Sequence, residues 1–118
     1  MTNPLTIWHN PRCSKSRAAL ALLRDRGVEP EIIEYLKHPP EPSEIKRVLG
    51  ALGMAPRDLM RKGEAPYKDL DLGNAAQSET ALIAAMAAYP VLIERPVVLK
   101  GAEAALGRPP EAVLKLTA

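Results

Sequence analysis

The chain has 118 residues, 47% apolar and 25% charged, with a formal net charge of +2, one cysteine, two histidines and no phenylalanine. That length supports one domain with its own core. The near-balanced charge gives no nucleic-acid footprint, a single cysteine excludes an internal disulfide, and the longest apolar run, residues 81–93, is shorter than the roughly 20 residues of a membrane span and contains Pro90. No metal-ligand spacing is visible, and no basic start leads into an apolar stretch at the N-terminus. The expectation is a cytoplasmic protein that binds no metal, nucleic acid or membrane, with a core of Leu, Ile, Val and Ala.

Leu5-Thr6-Ile7-Trp8 alternates and stops at Asn10-Pro11, which predicts a strand meeting a turn. Helical spacing follows Cys13, with Ala19, Leu22 and Leu23 on one face and Ser14 or Ser16 available as a cap. Arg24 and Arg26 suit the last turn and Gly27 the position just beyond it. Residues 31–36 read as a second strand, so strand, helix and strand form a right-handed crossover with parallel strands.

Pro42 opens the next helix, with Ile45, Val48, Leu49 and Leu52 on its apolar face and Gly53 closing it. Pro56 starts a shorter helix running through Leu59 and Met60 to about Lys62. Residues 63–74 are mostly turn chemistry, with Tyr67, Leu70 and Leu72 available to pack. Ser78 caps a helix that buries Leu82, Ile83 and Met86 and ends at Tyr89-Pro90. A strand over residues 96–99, a tight turn at Lys100-Gly101 and an antiparallel partner over 102–106 follow, then a C-terminal helix carrying Val113, Leu114 and Leu116. The order predicts an α/β fold: a small mixed sheet flanked by helices, with a helical insertion at about 41–89 in a single domain spanning 1–118.

This reading puts Cys13 at a strand-to-helix junction, where free backbone N–H groups and the positive end of the helix dipole favour a thiolate. Arg12, Lys15 and Arg17 add positive charge. Such surroundings can bring a thiol from about 8.5 into the ~3.5–7.5 range, and the thiolate is the nucleophile. The same N–H groups suit an oxyanion. Cys13-Ser14-Lys15-Ser16 has the layout of a Cys-X-X-Cys motif with a hydroxyl for the second thiol, so the chain cannot resolve an oxidised Cys13 by itself. A Cys-based phosphatase loop would need arginine six positions after the cysteine, and position 19 is alanine.

Taken together, His9-Asn10-Pro11-Arg12-Cys13, Tyr35-Leu36 with Pro39-Pro40, Leu59-Met60-Arg61-Lys62 with Pro66-Tyr67, Glu94-Arg95-Pro96-Val97-Val98 and Gly107-Arg108-Pro109 resemble the glutaredoxin-dependent arsenate reductases over nearly the whole chain. The resemblance implies a thioredoxin-like fold, Cys13 as the nucleophile and Arg61, Arg95 and Arg108 around an oxyanion such as arsenate. It further implies a cis Pro96, a supporting His9, and glutathione and glutaredoxin as external reductants with no bound cofactor. Ser16, in place of a resolving cysteine, is what makes those external thiols necessary. The three arginines lie 34 and 13 residues apart, so only folding gathers them. Guanidinium forks hold tetrahedral oxyanions bidentately and keep their charge. Two alternatives share this fold: a glutathione-linked thiol-disulfide protein, and a redox-sensing transcription regulator. Ser16 and the missing basic patch speak against the second.

Overall fold

The computed structural model describes residues 4–117, so the outer ends of the expected 1–118 span lie outside the described residues. The chain forms two compact units: one of residues up to His38 together with those from Arg95 onward, the other Pro39–Glu94. The first is a thioredoxin-like α/β unit. Its sheet has the order β2-β1-β3-β4, built from β1 (Leu5–Trp8), β2 (Glu31–Ile33), β3 (Val97–Lys100) and β4 (Glu103–Leu106). β1 and β2 are parallel, joined by α1 (Ser14–Asp25); β1–β3 and β3–β4 are antiparallel.

The core of this unit follows from the alternation of the strands and the helical period. Leu5 and Ile7 of β1, Val98 of β3 and Ala105 of β4 meet Ala19, Leu20 and Leu23 of α1. Val113 and Leu116, from a 3-10 helix over Pro110–Thr117, close the cluster. Burying each large aliphatic side chain contributes about 1.5–3 kcal/mol. The buried face of α1 is Ser16, Ala19, Leu20 and Leu23, so Leu20 takes the place expected of Leu22, which is only half-buried. Gly27 adopts the left-handed conformation (φ 76°) beyond the helix end, as its position implied.

β2 stops at Ile33, short of the expected Leu36. The Glu34 carbonyl accepts N–H groups from both Lys37 and His38, which turns the chain. Tyr35 is nonetheless fully buried, at 1% exposure. At the other end of the sheet, Lys100 pairs with Glu103 across a two-residue turn, and Gly101 supplies its positive φ of 58°.

In the second unit α2 (Pro42–Leu52) packs Ile45, Val48 and Leu49 in the direction of α4 (Glu79–Ala88), which buries Leu82, Ile83 and Met86. The Ser78 hydroxyl accepts the Ala81 N–H at 3.1 Å, the expected cap. A 3-10 turn at Pro56–Leu59 replaces the longer helix expected there. Residues read as turn contain a short helix, α3 (Ala65–Asp69). Leu72 is buried behind α3 while Leu70 stays exposed. Arg57 ties this stretch down, donating to the carbonyls of Leu72 and Asn74. A bridge between Met60 and Ile93 brings the residue just after the Pro56–Leu59 turn beside the end of the unit.

Candidate active site

Cys13 is the residue that caps α1, with extended backbone (φ −94°, ψ 123°) and 9% exposure. The loop before it is shaped by Asn10. Its side-chain oxygen accepts the Arg12 N–H, its carbonyl accepts the Cys13 N–H, and its own N–H donates to Ser16 Oγ, each at 3.0 Å. A turn tied in this way leaves the sulfur at the helix N-terminus. The neutral thiol makes no capping hydrogen bond. Charge on the sulfur is another matter. Burial raises the thiol's pKa, but the Ser16 N–H, the Arg95 side chain, the Lys15 N–H and the Arg95 charge outweigh burial and bring it below its ordinary value. The cations adjacent in sequence, Arg12, Lys15 and Arg17, are exposed; the cation that favours the thiolate is Arg95, from the far end of the chain.

Arg95 stands just before β3, half-buried, and its peptide bond to Pro96 is cis, as the resemblance implied. Its Nε is buried and has no hydrogen-bond partner. Arg108 lies across from it. The β3–β4 register pairs Val97 with Leu106, and one and two steps further along the same alignment face Pro96 with Gly107 and Arg95 with Arg108. Arg108 Nε donates to the Arg95 carbonyl at 3.0 Å, and the Gly107 N–H to the Pro96 carbonyl at 2.8 Å. The hairpin thus brings two of the three predicted arginines together.

Arg61 belongs to the second unit. Its backbone N–H donates to the Leu92 carbonyl at 2.7 Å. Its guanidinium is shared between Glu64 (3.3 Å) and Glu94 (3.0 Å). Those two carboxylates escaped sequence reasoning, although Glu94 stands beside Arg95 and Glu64 three residues after Arg61, the spacing of a helical ion pair.

His9 and Ser16 are the buried polar side chains of the site, at 7% and 0% exposure, and they meet each other: His9 Nδ1 lies 2.6 Å from Ser16 Oγ. Ser16 is therefore no helix cap. Its hydroxyl is committed to His9 and the Asn10 N–H, while its backbone N–H serves the sulfur. Burial pushes the His9 pKa below its usual 6.5, helped by Arg24 and Arg17 and opposed by Glu34. His9 is thus a neutral imidazole near pH 7. Because the folded value is depressed, this group's contribution to stability is full above about 6.5 and is lost as pH falls through the folded value. We expect His9→Gln to flatten that acid limb in a denaturation series from pH 7 to 5. Ser16→Ala leaves a buried N–H and an imidazole nitrogen without their partner, so it should cost about 1–3 kcal/mol of stability. An unchanged midpoint in urea would contradict the pairing.

Among the described residues no cluster of His, Cys, Asp and Glu could hold a metal ion, and no helix is long and apolar enough to cross a membrane.

Comparison with known proteins identifies the family. The protein called Uncharacterized protein YfgD from Escherichia coli (strain K12) is 49% identical over 117 residues, 98% of each chain. An arsenate reductase from Neisseria meningitidis serogroup A is 49% identical over 108 residues, 91% of this chain and 92% of its own. The solved structure of an arsenate reductase from Vibrio cholerae superposes with a TM-score of 0.94 at 47% identity, covering 98% of this chain and 99% of that one. The family model described as the ArsC family matches residues 8–116. With a cysteine at the start of α1, a thioredoxin-like sheet and that match over nearly its full length, the chain belongs to the ArsC family.

Proposed function

We propose that the protein reduces arsenate to arsenite, with Cys13 as nucleophile and glutathione and glutaredoxin as reductants. The observation that carries the reading is Arg95: a guanidinium that favours the Cys13 thiolate and keeps a buried Nε without a partner. A buried donor without an acceptor is costly, and an oxyanion oxygen would satisfy it. Arg108 stands opposite Arg95 and is the second oxyanion ligand in this reading. Arg61 is the third, on its motif context alone. Its two carboxylate partners mean that an oxyanion competes with Glu64 and Glu94 for the same fork.

The chemistry follows from the residues. The thiolate attacks arsenic(V), an S–As bond forms and an oxygen leaves as water. The thiol of glutathione then attacks the Cys13 sulfur. An S–S bond forms, and the S–As electron pair passes to arsenic, which departs as arsenite. Glutaredoxin's thiolate takes the glutathione sulfur and releases Cys13. Two thiols are oxidised to one disulfide for each arsenic reduced. Pro96, which flanks Arg95, is a supporting residue. The setting is the cytoplasm, where glutathione keeps thiols reduced.

The test is a coupled assay with arsenate, glutathione and glutaredoxin. Turnover should require both reductants, and mass spectrometry should trap one glutathione on Cys13. Full turnover with thioredoxin alone would contradict the mechanism, because Cys13 has no second thiol in this chain to pair with. Glutathione addition without arsenate reduction would favour a thiol-disulfide role instead.

A further inference from the structure

We propose that Gly107 is a positioning residue that fixes Arg95 and Arg108 as one preorganised pair. A Cβ at position 107 would lie 2.5 Å from Pro96 Cγ and 2.9 Å from Pro96 Cδ, with Val113 Cγ1 at 3.4 Å behind. Real Cβ contacts do not reach the first two distances, and the proline ring is closed onto its own backbone nitrogen, so it cannot swing aside as a flexible side-chain tip would. Only glycine lets the two backbones close at this step of the hairpin.

What the close approach holds is specific. The Gly107 N–H meets the Pro96 carbonyl at 2.8 Å, and one step outward Arg108 Nε meets the Arg95 carbonyl at 3.0 Å. Two arginines facing each other across a hairpin repel, and the Arg95 backbone carbonyl, accepting from Arg108 Nε, offsets that repulsion. Arg95 in turn acts on Cys13. A methyl group at 107 would push the Pro96 ring away, and Arg95, covalently joined to that ring, would move with it. Gly107 touches neither sulfur nor oxyanion. Its effect passes through Pro96 to Arg95, and through its own carbonyl-linked neighbour to Arg108.

The inference rests on Arg95 and Arg108 as the groups serving the thiolate and oxyanion, so the experiment separates the two claims. The pH midpoint of Cys13 thiolate formation, followed by absorbance in the full chain, needs no arsenate. Protection of Cys13 from alkylation by arsenate alone reports binding. Gly107→Ala should raise the thiol midpoint by about 0.5–1 pH unit and weaken arsenate protection roughly tenfold. In an Arg95→Ala background, Gly107→Ala should move the midpoint no further. Leu116→Ala, which loosens the core of the same unit, should lower stability without moving it. Arg108→Lys keeps the charge but not the Nε donor, and should also raise the midpoint only when Arg95 is present; it carries the test if Gly107→Ala does not fold. A wild-type midpoint in Gly107→Ala, or an equal shift with and without Arg95, would overturn the proposal. A wild-type protein indifferent to arsenate, with the Arg95-dependent midpoint shifts intact, would remove the arsenate reading and leave the positioning role standing.

Discussion

Cys13→Ser should bring arsenate reduction down to the background rate of glutathione itself, a loss of at least about 10⁴-fold, while the fold persists. A hydroxyl at this position stays protonated where the thiol would ionise, because the helix amides and Arg95 that favour the thiolate cannot bridge so large a gap in acidity. Nor can serine form the mixed disulfide. Serine is, on the other hand, a favoured capping residue, and α1 begins at the next position. Thermal stability near pH 7 should therefore hold or rise slightly. Circular dichroism, a melting curve and the coupled assay on one preparation separate the two effects. Appreciable turnover by a well-folded Cys13→Ser protein would show that another group carries the chemistry. The wild-type thiol should also alkylate with a pH midpoint below that of free cysteine.

The second large effect is expected at Arg95. Arg95→Ala removes the side chain that favours charge on Cys13 and the donor that lacks an acceptor. One preorganised stabiliser typically contributes about 10²–10³ in rate, so kcat/KM for arsenate should fall by that much. Arg95→Lys restores a charge without the planar fork. It should recover much of the thiol midpoint but little of the rate, which separates the effect on the nucleophile from the effect on the oxyanion. Equal recovery of both would mean that simple charge suffices. Substitutions that leave kinetics untouched at Arg61, Arg95 and Arg108 alike would show that the oxyanion site lies elsewhere.

Local signals carried much of the fold. Asn10-Pro11 followed by a helical period located the junction that holds Cys13, Gly27 and Gly53 marked helix ends, and Ser78 capped α4. The misreadings share a cause: each was decided by a hydrogen-bond or charge partner that residue propensity does not register. Ser16 looked like a cap because serine often is one, but a buried imidazole seven residues earlier claims its hydroxyl. Tyr35 and Leu36 looked like strand because their propensity is high, yet hydrogen bonds to the Glu34 carbonyl turn the chain first. The helix amides expected to favour the thiolate do so through the Ser16 and Lys15 N–H groups, but the cation that joins them is Arg95, distant in sequence, and not the neighbouring Arg12, Lys15 or Arg17 side chains. The thirteen-residue separation of Arg95 and Arg108 said nothing by itself. Its meaning lies in the pairing of Val97 with Leu106, and pairing is set by where the turn falls. The sequestering of Arg61 by two carboxylates likewise depends on the bridge that brings Ile93 beside Met60.

The outer strands of the sheet have a consequence for how copies of the chain behave in a crowded solution. An unpaired strand edge is a template on which another molecule can continue the ladder and begin to aggregate. Here the outermost strands run for only three and four residues. Pro30, which has no N–H to offer, immediately precedes β2, and its first residue is an exposed Glu31. β4 opens at exposed Glu103 and is followed by Gly107, Arg108 and the paired Pro109 and Pro110, which have no N–H with which to prolong a strand. Short, charged and proline-stopped edges are how natural sheets resist joining edge to edge. The residues that close the arginine hairpin therefore also help keep neighbouring sheets from adding to it.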